Sequence, residues 1–192
     1  MALNYFRIVF GIVAVVLFYY SFPSADALLL AFSLVAGYFL SGIVWQWLKK
    51  LFFKPILLFD LHNVMIAGDW EVEDMYELPG TRQLIRRLRS RYFVAALTNM
   101  APELWKLQNN KFNFVGEFDA VYYSGKYGIR KPEKKIFEIV FRDLSVSPRE
   151  IIFLDDREEN VAAARKLGMA GIVFQSASQA ERALNSMGIK TR

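Results

Sequence analysis

The chain has 192 residues, 54% of them hydrophobic and 16% aromatic, with a net charge of +5 and no cysteine. That length allows one ordinary domain with an appendage, and the apolar content excludes a disordered or low-complexity protein. Without cysteine there is no disulfide framework, no zinc–thiolate or iron–sulfur site and no thiol nucleophile.

The excess charge resembles a nucleic-acid footprint only until it is divided along the chain. Of residues 1–54, 39 are hydrophobic, about 72%. Arg7, Lys49, Lys50 and Lys54 stand there against Asp26 alone. Residues 55–192 are nearly balanced, with 20 basic and 18 acidic side chains. The run Arg82, Arg86, Arg87, Arg89, Arg91 reads as a solvated helix face. No nucleic-acid partner is expected.

Residues 27–48 carry no charge. As a helix they would reach about 33 Å, enough for a hydrocarbon core of about 30 Å. Trp45 and Trp47 stand at one end and Lys49, Lys50 and Lys54 follow. Residues 5–22 form a second candidate span if Arg7 snorkels to the headgroups, and Pro23 and Asp26 break the helix between the two. The expectation is one or two transmembrane helices within residues 1–54. The basic flank holds the following domain, residues 55–192, in the cytoplasm. A cleaved signal peptide in residues 1–25 is the alternative, but it leaves the longer segment unexplained.

From residue 55 the chain alternates strand and helix. Residues 56–59 form a short apolar strand ending at Asp60. Pro79-Gly80-Thr81 opens a helix bearing Leu84, Ile85 and Leu88. Residues 92–97 form a second strand, ending at Thr98-Asn99, and Pro102 starts a helix with Leu104, Trp105 and Leu107 on one face. Residues 118–123 form the third strand. A helix from Pro132 carries Ile136, Phe137, Ile139, Val140 and Leu144. Residues 151–154 form the fourth strand, ending at Asp155-Asp156, and a helix with Val161, Ala164 and Leu167 closes at Gly168. Residues 172–174 and a helix over 177–187 complete the order. It predicts an α/β fold, a Rossmann-like three-layer α/β/α sandwich around a parallel five-stranded sheet.

In open parallel sheets the site lies beyond the carboxyl ends of the strands. Asp60, Thr98-Asn99 and Asp155-Asp156 would meet there. Three carboxylates at one rim call for a cation, and an all-oxygen ligand set suits Mg²⁺. Lys131 supplies a counter-charge for an anionic substrate such as a phosphate.

Together these segments resemble the haloacid dehalogenase superfamily, over about residues 55–188. The matching stretches are Phe59-Asp60-Leu61-His62-Asn63-Val64, Leu97-Thr98-Asn99, Arg130-Lys131-Pro132-Glu133 and Phe153-Leu154-Asp155-Asp156-Arg157-Glu158-Glu159-Asn160. The style is closest to sugar-phosphate-phosphatase-like members. The resemblance implies a phosphohydrolase with Asp60 as nucleophile, forming an aspartyl-phosphate. Mg²⁺ would be held by Asp60, the main-chain carbonyl of His62, Asp156 and Asp155, the last directly or through water. Thr98 and Asn99 would bind substrate, together with Lys131, which would also offset charge. Asn160 would orient Lys131 or a metal-bound water.

One departure stands out. Most phosphatases of the family have Asp where this chain has His62, its only histidine. His62 is either the general acid–base or a tolerated replacement. Two alternatives to a phosphohydrolase stay open: a catalytically inactive adaptor domain, and a metal-independent dehalogenase, against which Asp155-Asp156 argues.

Only 37 residues separate Asp60 from Thr98 and 32 separate Thr98 from Lys131, so little or no cap domain is expected. A small acidic flap over residues 65–78 is the most this length allows. An open site favours a bulky or membrane-borne phosphomonoester, unless an oligomer covers it.

Overall fold

A computed structural model describes residues 54–69 and 73–191. They form the compact unit that begins at Lys54. The candidate spans over residues 5–22 and 27–48 lie outside the described residues. Among the described residues no helix is long and apolar enough to cross a membrane.

The unit is an α/β sandwich. Its chain order is β1 (Ile56–Phe59), β2 (Ile66–Ala67), β3 (Tyr76–Glu77), α1 (Thr81–Arg89), β4 (Val94–Thr98), α2 (Pro102–Phe112) and α3 (Phe114–Glu117). There follow β5 (Ala120–Tyr123), α4 (Ser124–Tyr127), α5 (Lys134–Asp143), a 3₁₀ turn (Pro148–Glu150), β6 (Ile151–Asp155), α6 (Glu158–Lys166), β7 (Ala170–Val173) and α7 (Ala177–Ser186). Five strands form one parallel sheet in the order β5-β4-β1-β6-β7. The expected five-stranded parallel architecture is present.

Strand periodicity builds the two faces. On β1, Leu57 and Phe59 point into one core with Leu84, Ile85 and Leu88 of α1 and Ala180 and Leu184 of α7. Ile56 and Leu58 point into the other, with Ile136, Phe137 and Val140 of α5 and Ala164 of α6. All four β1 residues are buried. A strand covered on both sides must be apolar throughout, which is why it reads as an unbroken run rather than an alternation.

Two expectations about helices are corrected. The face proposed for α2 was Leu104, Trp105 and Leu107. Leu104 and Trp105 do pack against the core, but Leu107 is exposed, and the buried positions are Gln108 and Phe112. Residues 104, 108 and 112 share one stripe at helical spacing, and the polar Gln108 in its middle hides that stripe from a search for apolar periodicity. The arginines of α1 are also not merely solvated. Arg82 and Arg86 grip the buried carboxylate of Glu117 on α3, with Arg86 Nε 2.9 Å from Glu117 Oε2, and Arg82 also donates to the carbonyl of Phe112 at 2.7 Å. Arg89 donates to Asp119 at 2.8 Å and to the carbonyl of Gly116 at 2.6 Å.

Between β1 and α1 the described part of the flap is a two-stranded antiparallel hairpin, β2 with β3. Lys111 of α2 donates to the carbonyls of Glu73 and Met75 and ties the hairpin to the body of the fold.

Candidate active site

Topology places the chemistry. β1 is the middle strand, with β4 on one side and β6 on the other. Asp60 directly follows β1, Thr98 ends β4 and Asp155 ends β6. Three neighbouring strand ends therefore deliver one carboxylate, one hydroxyl and a second carboxylate to the same rim. The Asp60 main-chain N–H donates to the carbonyl of Leu154 at 2.8 Å, which extends the β1–β6 ladder to Asp60.

Lys131 enters from the loop before α5 and lies almost completely buried. Its Nζ is 2.6 Å from Asp155 Oδ2, 2.9 Å from Asp60 Oδ1 and 2.8 Å from the carbonyl of Leu97. An ammonium out of water requires such partners. Both polar atoms of the Asn99 side chain hold this lysine's main chain. Nδ2 donates to the Lys131 carbonyl at 2.9 Å, and Oδ1 accepts from the Lys131 N–H at 2.8 Å. Asn99 was expected to bind substrate, and it does line the cavity. Its amide, however, is engaged on Lys131.

Asp155 is fully buried and saturated. Its Oδ1 accepts from the Arg157 N–H and from Asn160 Nδ2, each at 2.9 Å, and its Oδ2 accepts from Lys131. Asn160, expected to orient Lys131 or a metal water, donates to Asp155, which in turn holds Lys131, and among the described residues Asn160 Oδ1 has no hydrogen-bond partner. Asp156 is half-buried and accepts from Asn63 Nδ2 at 3.0 Å. Asn63 has φ of 57°, a left-handed conformation that asparagine adopts more readily than most residues. Carboxylate oxygens of Asp60, Asp155 and Asp156 lie within 4.8 Å of one another. Burial pushes the Asp60 carboxyl up to about 6. Lys131 opposes that rise and Asp155 adds to it.

Thr98 is buried, and its Oγ1 has no hydrogen-bond partner among the described residues. An orphan hydroxyl at a cavity wall marks a place where an external group would be bound. His62 is half-buried, with Nε2 3.3 Å from the carbonyl of Gly68 in the flap. A carbonyl only accepts, so this contact needs the tautomer protonated at Nε2.

These residues surround a cavity of about 360 Å³, lined by Asp60, His62, Asn63, Thr98, Asn99, Lys131, Asp156 and Asn160, with Arg130 and Arg157 at its edge. Every residue singled out from the sequence lines it except Asp155, which lies beneath it holding Lys131. Asn63, Arg130 and Arg157 went unrecognised as cavity residues. Their only signal in the sequence is that each adjoins a residue that was singled out.

The sequence profile of the haloacid dehalogenase-like hydrolase family matches residues 44–168. Flavin mononucleotide hydrolase 1 of Arabidopsis thaliana is 30% identical over 137 residues, 66% of this chain and 56% of that protein. A sesquiterpene phosphatase of Aspergillus oryzae is 35% identical over 91 residues, 46% of each. The chain thus spans about half the length of these curated relatives. Among solved structures, a HAD family enzyme from Bacteroides thetaiotaomicron superposes with a TM-score of 0.61 at 20% identity, over 68% of this chain and 98% of that one. The same enzyme was also crystallised with magnesium and inorganic phosphate, and that structure superposes with a TM-score of 0.58. At this identity the likeness concerns the fold alone. With three strand-end motifs and the loop lysine Lys131 gathered at one rim and the family profile covering well over half of the chain, this protein belongs to the haloacid dehalogenase-like hydrolases.

Proposed function

We propose that the protein is a Mg²⁺-dependent phosphohydrolase acting through an aspartyl-phosphate on a phosphomonoester. The observation that carries this reading is the buried Asp60–Lys131–Asp155 cluster with Asp156 beside it. Three carboxylates within 4.8 Å of one another face a single lysine, a charge imbalance that one divalent cation corrects. The donor set fits Mg²⁺, which prefers carboxylate and carbonyl oxygen. Asp60 and Asp156, with the main-chain carbonyl of His62, are the natural ligands. Asp155 serves chiefly to fix Lys131, because its oxygens are already engaged. When bound, the cation neutralises charge on the phosphoryl oxygens and on Asp60.

The residues divide the remaining work. An Asp60 oxygen attacks phosphorus, and the ester P–O bond breaks. The leaving oxygen takes a proton from His62, whose imidazole can both give and accept one. Thr98 Oγ1 donates to a phosphoryl oxygen, and the Lys131 ammonium stabilises the charge shared by nucleophile and phosphate. Water, deprotonated by His62, then attacks phosphorus, and the P–O bond to Asp60 breaks. The relatives named above act on dissimilar organic groups, so they support the phosphate chemistry and not one leaving group. The absence of a cap in the described residues supports a bulky substrate. The apolar residues 5–22 and 27–48 with their basic flank support anchoring in a bilayer with the domain on the cytoplasmic side.

The deciding experiment is hydrolysis of an aryl phosphate by the full chain with Mg²⁺ and with EDTA. Turnover that requires the metal and disappears in Asp60→Asn is expected. Absence of turnover, together with no binding of fluoroberyllate as a phosphate mimic, would leave a binding domain instead.

A further inference from the structure

Beside the phosphate-sized cavity lies a second hollow of about 510 Å³, within the range of sites that take extended organic ligands. Asn99 and Arg130 line both spaces, so the two are adjacent at that pair. The walls of the second are mostly apolar, with Met100, Pro102, Leu104 and Ile129 among them and Ser124 as a polar member.

Its floor is held by specific bonds. Ser124 Oγ accepts from the Met100 N–H at 3.0 Å, and the Gly125 N–H donates to the Met100 carbonyl at 2.9 Å. The chain after β5 is thereby fastened to the chain after β4. A Cβ at Gly125 would fall 2.5 Å from Pro102 Cδ and 2.8 Å from the Met100 carbonyl, so only glycine allows this approach. Two exposed charged residues, Glu133 and Arg130, also line it. Arg130 is exposed at the junction and makes no ion pair among the described residues.

We infer that this groove receives the leaving group, and that the substrate class is a phosphate monoester of an extended apolar alcohol. The inference rests on the phosphohydrolase reading and narrows its substrate. With the phosphoryl group at Asp60, Arg130 lies over the ester junction and the hydrocarbon runs between Leu104 and Ile129. A polyol running between Leu104 and Ile129 would turn hydroxyls toward those apolar side chains, a penalty against it. After the ester P–O bond breaks and His62 supplies the proton, the neutral alcohol leaves along the open groove.

The test uses the full chain with Mg²⁺ and a series of methyl, butyl, hexyl and octyl phosphates at concentrations below aggregation, with glycerol phosphate as the polar comparator. Expected is a rise in kcat/KM of roughly twofold to fourfold per methylene until the groove is filled, with glycerol phosphate below butyl phosphate. Ile129→Gln should flatten that rise. A flat series in the unmodified protein, or a preference for glycerol phosphate, overturns the inference and leaves the phosphohydrolase reading standing. Failure to hydrolyse any phosphate ester under these conditions overturns both. The unmodified series decides the matter even if Ile129→Gln folds poorly.

Discussion

At the scale of single residues, the site couples catalysis to instability. Asp60 is ordered by burial beside another carboxylate, and its carboxyl stands at about 6 against an ordinary 3.8. A carboxyl whose pKa is raised on folding contributes stability that is complete below about 3.8 and is lost as pH rises through about 6. In EDTA, Asp60→Asn should therefore stabilise the protein at pH 7.5 by on the order of 1–3 kcal/mol, and the gain should vanish near pH 4. Thermal melts at the two pH values check this, and equal Tm at pH 7.5 would count against it. His62 is tested by leaving group. His62→Ala should slow hydrolysis of alkyl phosphates, which need a proton donor, by about 100-fold or more, and aryl phosphates far less. Equal losses on both would show that His62 is a tolerated replacement rather than the acid. Asp60, Thr98, Lys131 and the aspartate pair were legible in the sequence because each stands at a strand end or a helix start. The partners of Asn99 and Asn160 were not. An asparagine's two-way amide takes whatever backbone or carboxylate the fold brings near, and sequence spacing does not reveal which.

At the scale of elements, the sheet was readable and the polar seams were not. Uninterrupted apolar runs identify strands covered on both faces, and all five fell within a few residues of their expected places. The short α3 and α4 have four residues each, too few for periodicity to register. The role of the α1 arginines escaped for a related reason. Their acceptors, Glu117 and Asp119, lie roughly 30 positions further on and meet them only in the folded state. Arg86 and Arg82 hold the Glu117 carboxyl below its ordinary range. A carboxylate lowered in this way contributes stability above the ordinary carboxylate range and loses it as pH falls through the folded value. Glu117→Gln should cost about 1–3 kcal/mol at pH 7, discounted because Arg86 is largely exposed, and the deficit should shrink in acid. Denaturant melts at pH 7 and pH 3.5 measure both, and a deficit that grew in acid would contradict the sign.

At the scale of the whole molecule, two chemically unlike stretches share one chain. The strongly apolar residues 1–54 carry a net charge of +3, and the nearly neutral hydrolase unit follows. Positive residues next to apolar segments act as topological markers. The full chain is expected to sediment with membranes and to resist alkaline carbonate extraction, whereas residues 54–192 expressed alone stay in the supernatant. A full chain released by carbonate would argue for a peripheral rather than a spanning attachment.

The position of Arg130, next in sequence to the buried Lys131, separates two kinds of evolutionary freedom. Lys131 is fixed by two carboxylates and a carbonyl, so hardly any exchange there preserves the chemistry. The side chains of Leu104 and Ile129 are hydrocarbon and take no part in those hydrogen bonds and ion pairs. Drift at these two positions can therefore retune which alcohol is accepted while the reacting carboxylate, its lysine and their geometry stay as they are. Descendants of this chain should diverge in leaving-group preference long before they diverge in reaction.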